Sequence, residues 1–228
     1  MPTIPSVYAG IDIKRNGLGK PEAVGYSGPT YVAIRSGKHA SSTAYSYAID
    51  TNRLLEIEPF NDILKCGGFI KPVMIITMDG GLDENPRYAK VIQIAVQHFK
   101  EFNLDALFIA TNAPGRSAFN RVERRMAPLS RELSGLIIPH DHFGSHLDSQ
   151  LKTTDLDLEK KNFKYAGETL AAVWNELIID EYPTVAEYIE PVVSEIDPER
   201  LHQLDTKWFV EHVRTSQYLL QIVKCSDE

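Results

Sequence analysis

The chain is poor in cysteine. Cys66 and Cys225 are its only two, far apart in 228 residues. Such a pair excludes the disulfide framework of small secreted domains and suits two free thiols in a reducing compartment. Long hydrophobic runs are also absent, and no stretch reaches membrane-spanning length, so a soluble protein with no membrane partner is expected. The first residues, MPTIPSVYAG, lack the charged head and apolar stretch of a signal peptide, which points to an intracellular protein. Glycine and proline, at 14 and 13, are not in excess, and repeats and low-complexity segments are missing, so most of the chain is expected to be ordered.

What is present suits one substantial core with a smaller appendage, since 43% of the residues are hydrophobic. The net charge of -7 is unevenly spread: residues 1–150 carry 16 basic and 15 acidic side chains, residues 151–228 carry 8 and 16. The acidity therefore belongs to the C-terminal part. Five arginines, Arg116, Arg121, Arg124, Arg125 and Arg131, crowd around Glu123. They read as a phosphate-binding stripe or as an ordinary solvated helix face, and taken alone they favour the second.

Periodicity predicts strands at Val7–Ile13, Tyr31–Arg35, Val73–Met78, Ala106–Ala110 and Tyr218–Lys224. Val73–Met78 (VMIITM) is uninterruptedly apolar, as for a strand with both faces covered. Ser41–Thr43 can cap a helix over 44–55. Asn85-Pro86 opens a second helix with Tyr88, Val91, Ile92, Ala95, Val96 and Phe99 on one side. Phe119, Val122, Met126, Leu129 and Leu133 step along a third, which Pro128 should kink or restart. A helix over 157–180 buries Phe163, Ala166, Leu170, Val173, Trp174 and Leu177. Thr184 and Glu187 form a capping box for a short helix, and Asp197-Pro198 starts another. This order implies an α/β layout with parallel strands, in which ligands sit beyond the carboxyl ends of the strands. Asp79 and the loop from Thr111 lie at two such ends. Hard carboxylate ligands at strand ends suit Mg²⁺ or Mn²⁺ and phosphoryl-transfer chemistry.

Two motifs stand out: Asp79-Gly80-Gly81 with Asn85, and Pro114-Gly115-Arg116-Ser117-Ala118-Phe119-Asn120-Arg121-Val122-Glu123. Here the chain resembles the DDE transposases. In one group of them a strand ends in Asp-Gly-Gly with an Asn a few residues on, and a later strand leads into Pro-Gly-x-Ser-x-x-Asn-x-x-Glu. His39 and Thr43, between a strand and a helix, match as well, and the likeness runs from about Val7 to Leu133. It implies a ribonuclease H-like mixed sheet flanked by helices over 1–138, followed by an acidic, mostly helical extension over 139–228. It implies that Asp79 and Glu123 are the second and third acidic residues of a catalytic, metal-holding triad served by Mg²⁺ or Mn²⁺. Asn85, Asn112, Ser117 and Asn120 would shape the loops beside them, with Asn120 also able to cap the helix of Glu123. Arg116, Arg121, Arg124 and Arg125 would hold phosphates of transposon-end and target DNA, in a nuclear protein if the source is eukaryotic, with homo-oligomers open. The family's first aspartate lies on a central strand preceding the segment that resembles Val7–Ile13. Since Asp12 matches the following strand instead, the expectation is a core incomplete at its N-terminus, inactive or weakly active alone.

His140, His142 and His146 lie within seven residues, beside Asp141 and Asp148. They read as a second metal site or as a polar loop; their spacing matches no zinc signature, so zinc is not expected. Three functions follow: transposase-like DNA cleavage and strand transfer, a non-catalytic DNA- or protein-binding module of the same ancestry, or an unrelated metal-dependent hydrolase built on His140–His146.

Overall fold

The computed structural model describes residues 3–14, 19–81, 85–113, 115–116, 119–191 and 205–225. In chain order the elements are β1 (Thr3–Ala9), β2 (Thr30–Ser36), α1 (Ala44–Leu54), α2 (Asn61–Leu64), β3 (Lys65–Cys66), β4 (Phe69–Ile70), β5 (Val73–Met78), α3 (Ala89–Glu101) and β6 (Ala106–Thr111). They continue with α4 (Glu123–Arg131), α5 (Leu156–Asn175), β7 (Ile178–Ile179), β8 (Tyr182–Tyr188), α6 (Thr206–His212), β9 (Val213–Thr215) and β10 (Leu219–Val223). The fold is mixed α/β, and no helix among the described residues is long and apolar enough to cross a membrane.

Contacts group the chain into two units, each made of two stretches: Met1–Ser41 with Arg124–Val193, and Ser42–Glu123 with Ser194–Glu228. The segments 1–138 and 139–228 each supply residues to both. Among the described residues the strands build two four-stranded sheets and a small β3–β4 hairpin, where the sequence suggested one sheet. β1 and β5 are edge strands of their respective sheets.

In the first unit the sheet order is β1-β2-β8-β7, with β1 antiparallel and β8 parallel to β2. β2 is buried along its whole length, which suits its Tyr, Val and Ile side chains. α5 packs across β2 and β8 and buries Phe163, Ala166, Leu170 and Trp174, as its spacing predicts. Gly167 lets it approach closely, because a Cβ there would lie 2.2 Å from Cδ2 of Tyr188. The capping box read at Thr184 and Glu187 is not one: both lie within β8, where Thr184 pairs with Thr30 and Glu187 with Ala33. The β-branched and aromatic residues of this segment find a strand partner, and long-range pairing overrides the local cap signal. Among the described residues the 139–228 segment accordingly carries four strands beside α5 and α6. The helix start at Asp197-Pro198 lies outside the described residues.

In the second unit the order is β5-β6-β10-β9, with β5 parallel to β6 and the crossover made by α3. Val91, Ala95, Val96 and Phe99 of α3 are buried; Ala95, Val96 and Phe99 pack with Met74, Leu107, Ile109, Leu220 and Ile222. β5 is not covered on both faces. Met74 is 9% exposed, but Val73 and Ile75 are 50% and 67% exposed, because they alternate onto the face opposite this core. Thr43 caps α1, its side chain accepting from Ser46 N, and Ser46 returns the bond in a capping box. α3 starts later than Asn85-Pro86 suggests: Asn85 instead closes a turn, accepting from the N–H groups of Arg87 and Tyr88.

The stripe predicted around Pro128 is only partly a core. Leu129 is 3% exposed, whereas Phe119, Met126 and Leu133 are 60%, 38% and 38% exposed. α4 runs through Pro128 and ends three residues beyond it, at Arg131.

Candidate functional site

β5 and β6 run side by side and in the same direction, so their carboxyl ends open at one edge of the second unit's sheet. Asp79 follows β5 directly and is exposed to solvent. Gly80 then turns with φ +84, a left-handed conformation that costs any other L-residue about 1–2 kcal/mol. A Cβ at Gly80 would also come 3.1 Å from Cβ of Thr111, the last residue of β6. The glycine thus serves the close approach of the two strand ends.

The two sequence motifs meet here. Nδ2 of Asn120 donates to Oδ1 of Asp79 at 2.6 Å. Backbone O of Asn120 accepts from the N–H of Glu123 at 3.2 Å. Asn120 therefore does not cap α4 with its side chain, as its position suggests. Its carbonyl serves the helix, and its amide holds the carboxylate of Asp79. This amide cannot be reversed without setting its oxygen against the carboxylate, so its orientation is fixed. The 3%-exposed Asn120 is left with a buried Oδ1 that has no partner among the described residues, and so is Oγ1 of Thr111. Asp79, Asn120 and Thr111 offer carboxylate, amide and hydroxyl oxygens at this edge, and the half-buried Glu123 opens α4 three residues after Asn120. This all-oxygen set fits a hard divalent cation such as Mg²⁺ or Mn²⁺ and does not suit zinc. Among the described residues no three His, Cys, Asp or Glu side chains gather as a metal site.

Asn85 and Asn112 border the same edge. Asn85 is 9% exposed and folds the turn described above, whereas Asn112 lines a cavity beside Asp79. That cavity also takes in Arg87, Gln217 and Tyr218. Sequence reasoning missed these three. Arg87 carried no motif, and Gln217 and Tyr218 lie in the β9–β10 turn, where the apolar run suggested a strand. Ser117 and Pro114 lie outside the described residues.

The arginines divide. Arg116 is exposed and lies over the ring of Phe119 at 5.4 Å, and Arg121 is half-buried. Arg124 is exposed and lies over Tyr26 at 3.7 Å. Arg125 is withdrawn from any phosphate. It is 0% exposed and donates to Gly28 O at 3.0 Å and Asp180 Oδ2 at 3.1 Å, tying two loops of the first unit together. Burial lowers its pKa, and Asp180 opposes that fall.

Among the described residues the three histidines do not gather as a metal site. His140 is exposed beside Asp141, at 3.8 Å, and His142 stacks on Tyr165 at 3.6 Å. His146 is 3% exposed and joins a different, buried network. Its Nδ1 faces Nδ2 of Asn162 at 3.1 Å, and its Nε2 lies 3.6 Å from Glu159. Glu159 is 1% exposed and accepts from Lys38 at 2.5 Å, Thr153 at 2.5 Å and His39 Nε2 at 2.8 Å. Burial alone would raise its pKa; the bonds from Lys38, Thr153 and His39 outweigh it and hold the carboxyl at about 2. His39, whose Nδ1 meets Ser36 Oγ at 2.7 Å, is thus a structural member of this network.

Comparison of the chain with known protein families, curated proteins and solved structures finds no match.

Proposed function

We propose that the edge formed by Asp79, Asn120 and Glu123 is the metal-dependent phosphoryl-transfer site of a ribonuclease H-like, DDE transposase-like domain that acts on DNA. The observation that carries this reading is the 2.6 Å bond from Asn120 to Asp79. The two motifs that resemble the transposase pattern are far apart in sequence, and each alone has an ordinary explanation, a turn and a helix start. Asp79 and Asn120 are nevertheless bonded side chain to side chain at the carboxyl ends of two parallel strands, where ligands bind in open α/β sheets, and Asn120 O takes the backbone N–H of Glu123.

In this reading Asp79 and Glu123 hold Mg²⁺ or Mn²⁺, which would polarise a phosphodiester and lower the pKa of an attacking water or 3′-hydroxyl. Asn120 fixes the rotamer of Asp79 and presents Oδ1 as an acceptor for a coordinated water. Thr111 Oγ1 adds a second neutral oxygen at the strand end. Arg116, exposed on the loop of the second motif, supplies positive charge for a phosphate.

Calorimetric titration with Mn²⁺ tests the site. The wild-type chain should bind saturably, Asp79→Asn should abolish binding, and Asn120→Ala should weaken it by about 10–100-fold. Absence of binding to a folded wild-type chain, or binding retained in Asp79→Asn, overturns the assignment. Metal binding without cleavage of supercoiled or nicked DNA would make the chain the non-catalytic relative of such a domain.

A further inference from the structure

The cavity beside Asp79 measures about 260 Å³ and lies wholly within the second unit. It sits below the roughly 300–1,000 Å³ of pockets that enclose drug-sized ligands, so it takes one ring system and not an extended molecule. Its walls come from the loop after β5, the loop after β6 and the β9–β10 turn. Among the described residues Asp79 is its only acidic lining residue.

The side chains on these walls are unusual in their freedom. The amides of Asn112 and Gln217 make no hydrogen bond among the described residues, and each presents a donor and an acceptor together. Tyr218 is 37% exposed. Its backbone is fixed independently of its ring, because its carbonyl accepts from Thr111 N–H at 2.9 Å and the turn is closed by Ser216 N–H on Leu219 O at 2.8 Å. Arg87 is exposed and donates to Tyr88 Oη at 2.9 Å, and among the described residues no carboxylate pairs with its guanidinium, which has further N–H donors for an anion. An aromatic ring, two amides and a guanidinium around a ring-sized cavity match the parts of one nucleotide. A base stacks on the ring, its polar edge meets the amides, and its phosphate meets the arginine.

We propose that this cavity is a subsite for one unstacked base of single-stranded DNA, flanking the phosphodiester held at Asp79. The base stacks on Tyr218, Asn112 and Gln217 read its edge, and Arg87 holds the adjoining phosphate. A base that remains paired and stacked in a duplex cannot enter such a cavity, so the subsite selects unpaired strand. The proposal rests on the reading of the Asp79 edge as a DNA-processing site.

The test is fluorescence anisotropy at low ionic strength with a short labelled oligodeoxyadenylate, alone and annealed to oligothymidylate. The full chain should bind the single strand more tightly than the duplex. Tyr218→Ala should weaken single-strand binding by roughly tenfold, Tyr218→Phe should restore it, and Asn112→Ala and Gln217→Ala should each weaken it several-fold. Duplex binding should not change in any of them. Single-strand affinities within twofold of wild type across the three alanine variants would overturn the subsite and leave the Asp79 reading standing. A wild-type chain that prefers the duplex would do the same. A folded wild-type chain that binds neither form would overturn the DNA reading and the subsite together.

Discussion

Acid should weaken the first unit through one residue, and the size of the effect follows from its surroundings. Glu159 is ordinarily a group of pKa 4.5, held here at about 2 by Lys38, Thr153 and His39 despite its burial. At ~1.4 kcal/mol per pH unit the difference is worth about 3 kcal/mol of stability. Because the folded-state value is the lower one, this stabilisation is fully present above pH 4.5 and disappears as pH falls toward 2. Glu159→Gln cannot ionise. It keeps one oxygen for Lys38 and turns an amide toward groups that need an acceptor. At about pH 6 the variant should be less stable than wild type by about 3 kcal/mol, and by about pH 2 the two should converge. Urea unfolding followed by Trp174 fluorescence in a Trp208→Phe background isolates the first unit, since Trp174 lies in its core and Trp208 is in the second unit. Other carboxylates titrate over the same range, but they do so in both proteins and cancel in the difference. A difference that persists unchanged to pH 2, or is absent at pH 6, would refute the account of Glu159 as an ionised, bonded carboxylate.

Two further outcomes concern packing. Arg125→Met keeps the volume but removes the bonds to Gly28 O and Asp180; a loss of about 2–3 kcal/mol in urea unfolding is expected, with DNA affinity unchanged once the variant is folded. Equal stability would mean that the two loops are held by something else. Gly167→Ala gains about 1 kcal/mol of helix propensity but sets a Cβ 2.2 Å from the Tyr188 ring; the clash should win and lower the melting temperature, whereas a rise would show that the ring moves aside.

Elements that depend on local pattern were legible in the sequence. β2, β5, β6 and β10 follow from their apolar runs, α1 from its Thr43 cap, and α5 from its helical spacing. Those that depend on distant partners were not. Thr184 to Glu187 has the composition of a cap, and only pairing with β2 makes it strand. β5 reads as a doubly covered strand, yet Val73 and Ile75 are exposed, because hydrophobicity reports what a face could bury and not what lies over it. Burial of Glu159 left no mark either: on α5 it reads as one more solvated charge, and its partners Lys38 and His39 arrive from the far end of the sequence.

The candidate site shows the same division at the level of single atoms. Asp79, Asn120 and Glu123 were visible as motif residues, because turn and helix-start chemistry constrains which residue types appear and at what spacing. The direction of the Asn120 side chain was not visible. An Asn three residues before a helical Glu has a good local partner in the helix's own N–H groups, and local geometry favours that bond. The backbone carbonyl of Asn120 takes Glu123 N–H instead, which releases the side chain to reach Asp79 at 2.6 Å. That exchange leaves Oδ1 buried without a partner among the described residues, a cost of about 1–3 kcal/mol that a simple cap would avoid. On the function proposed above, the freed amide serves Asp79; on a purely structural reading, it ties the loop to the strand end. Asn120→Asp separates the two explanations. Without metal it sets a second carboxylate against Asp79 and should destabilise the second unit, and saturating Mn²⁺ should recover that stability. A variant that Mn²⁺ leaves equally unstable would return Asn120 to a purely structural role.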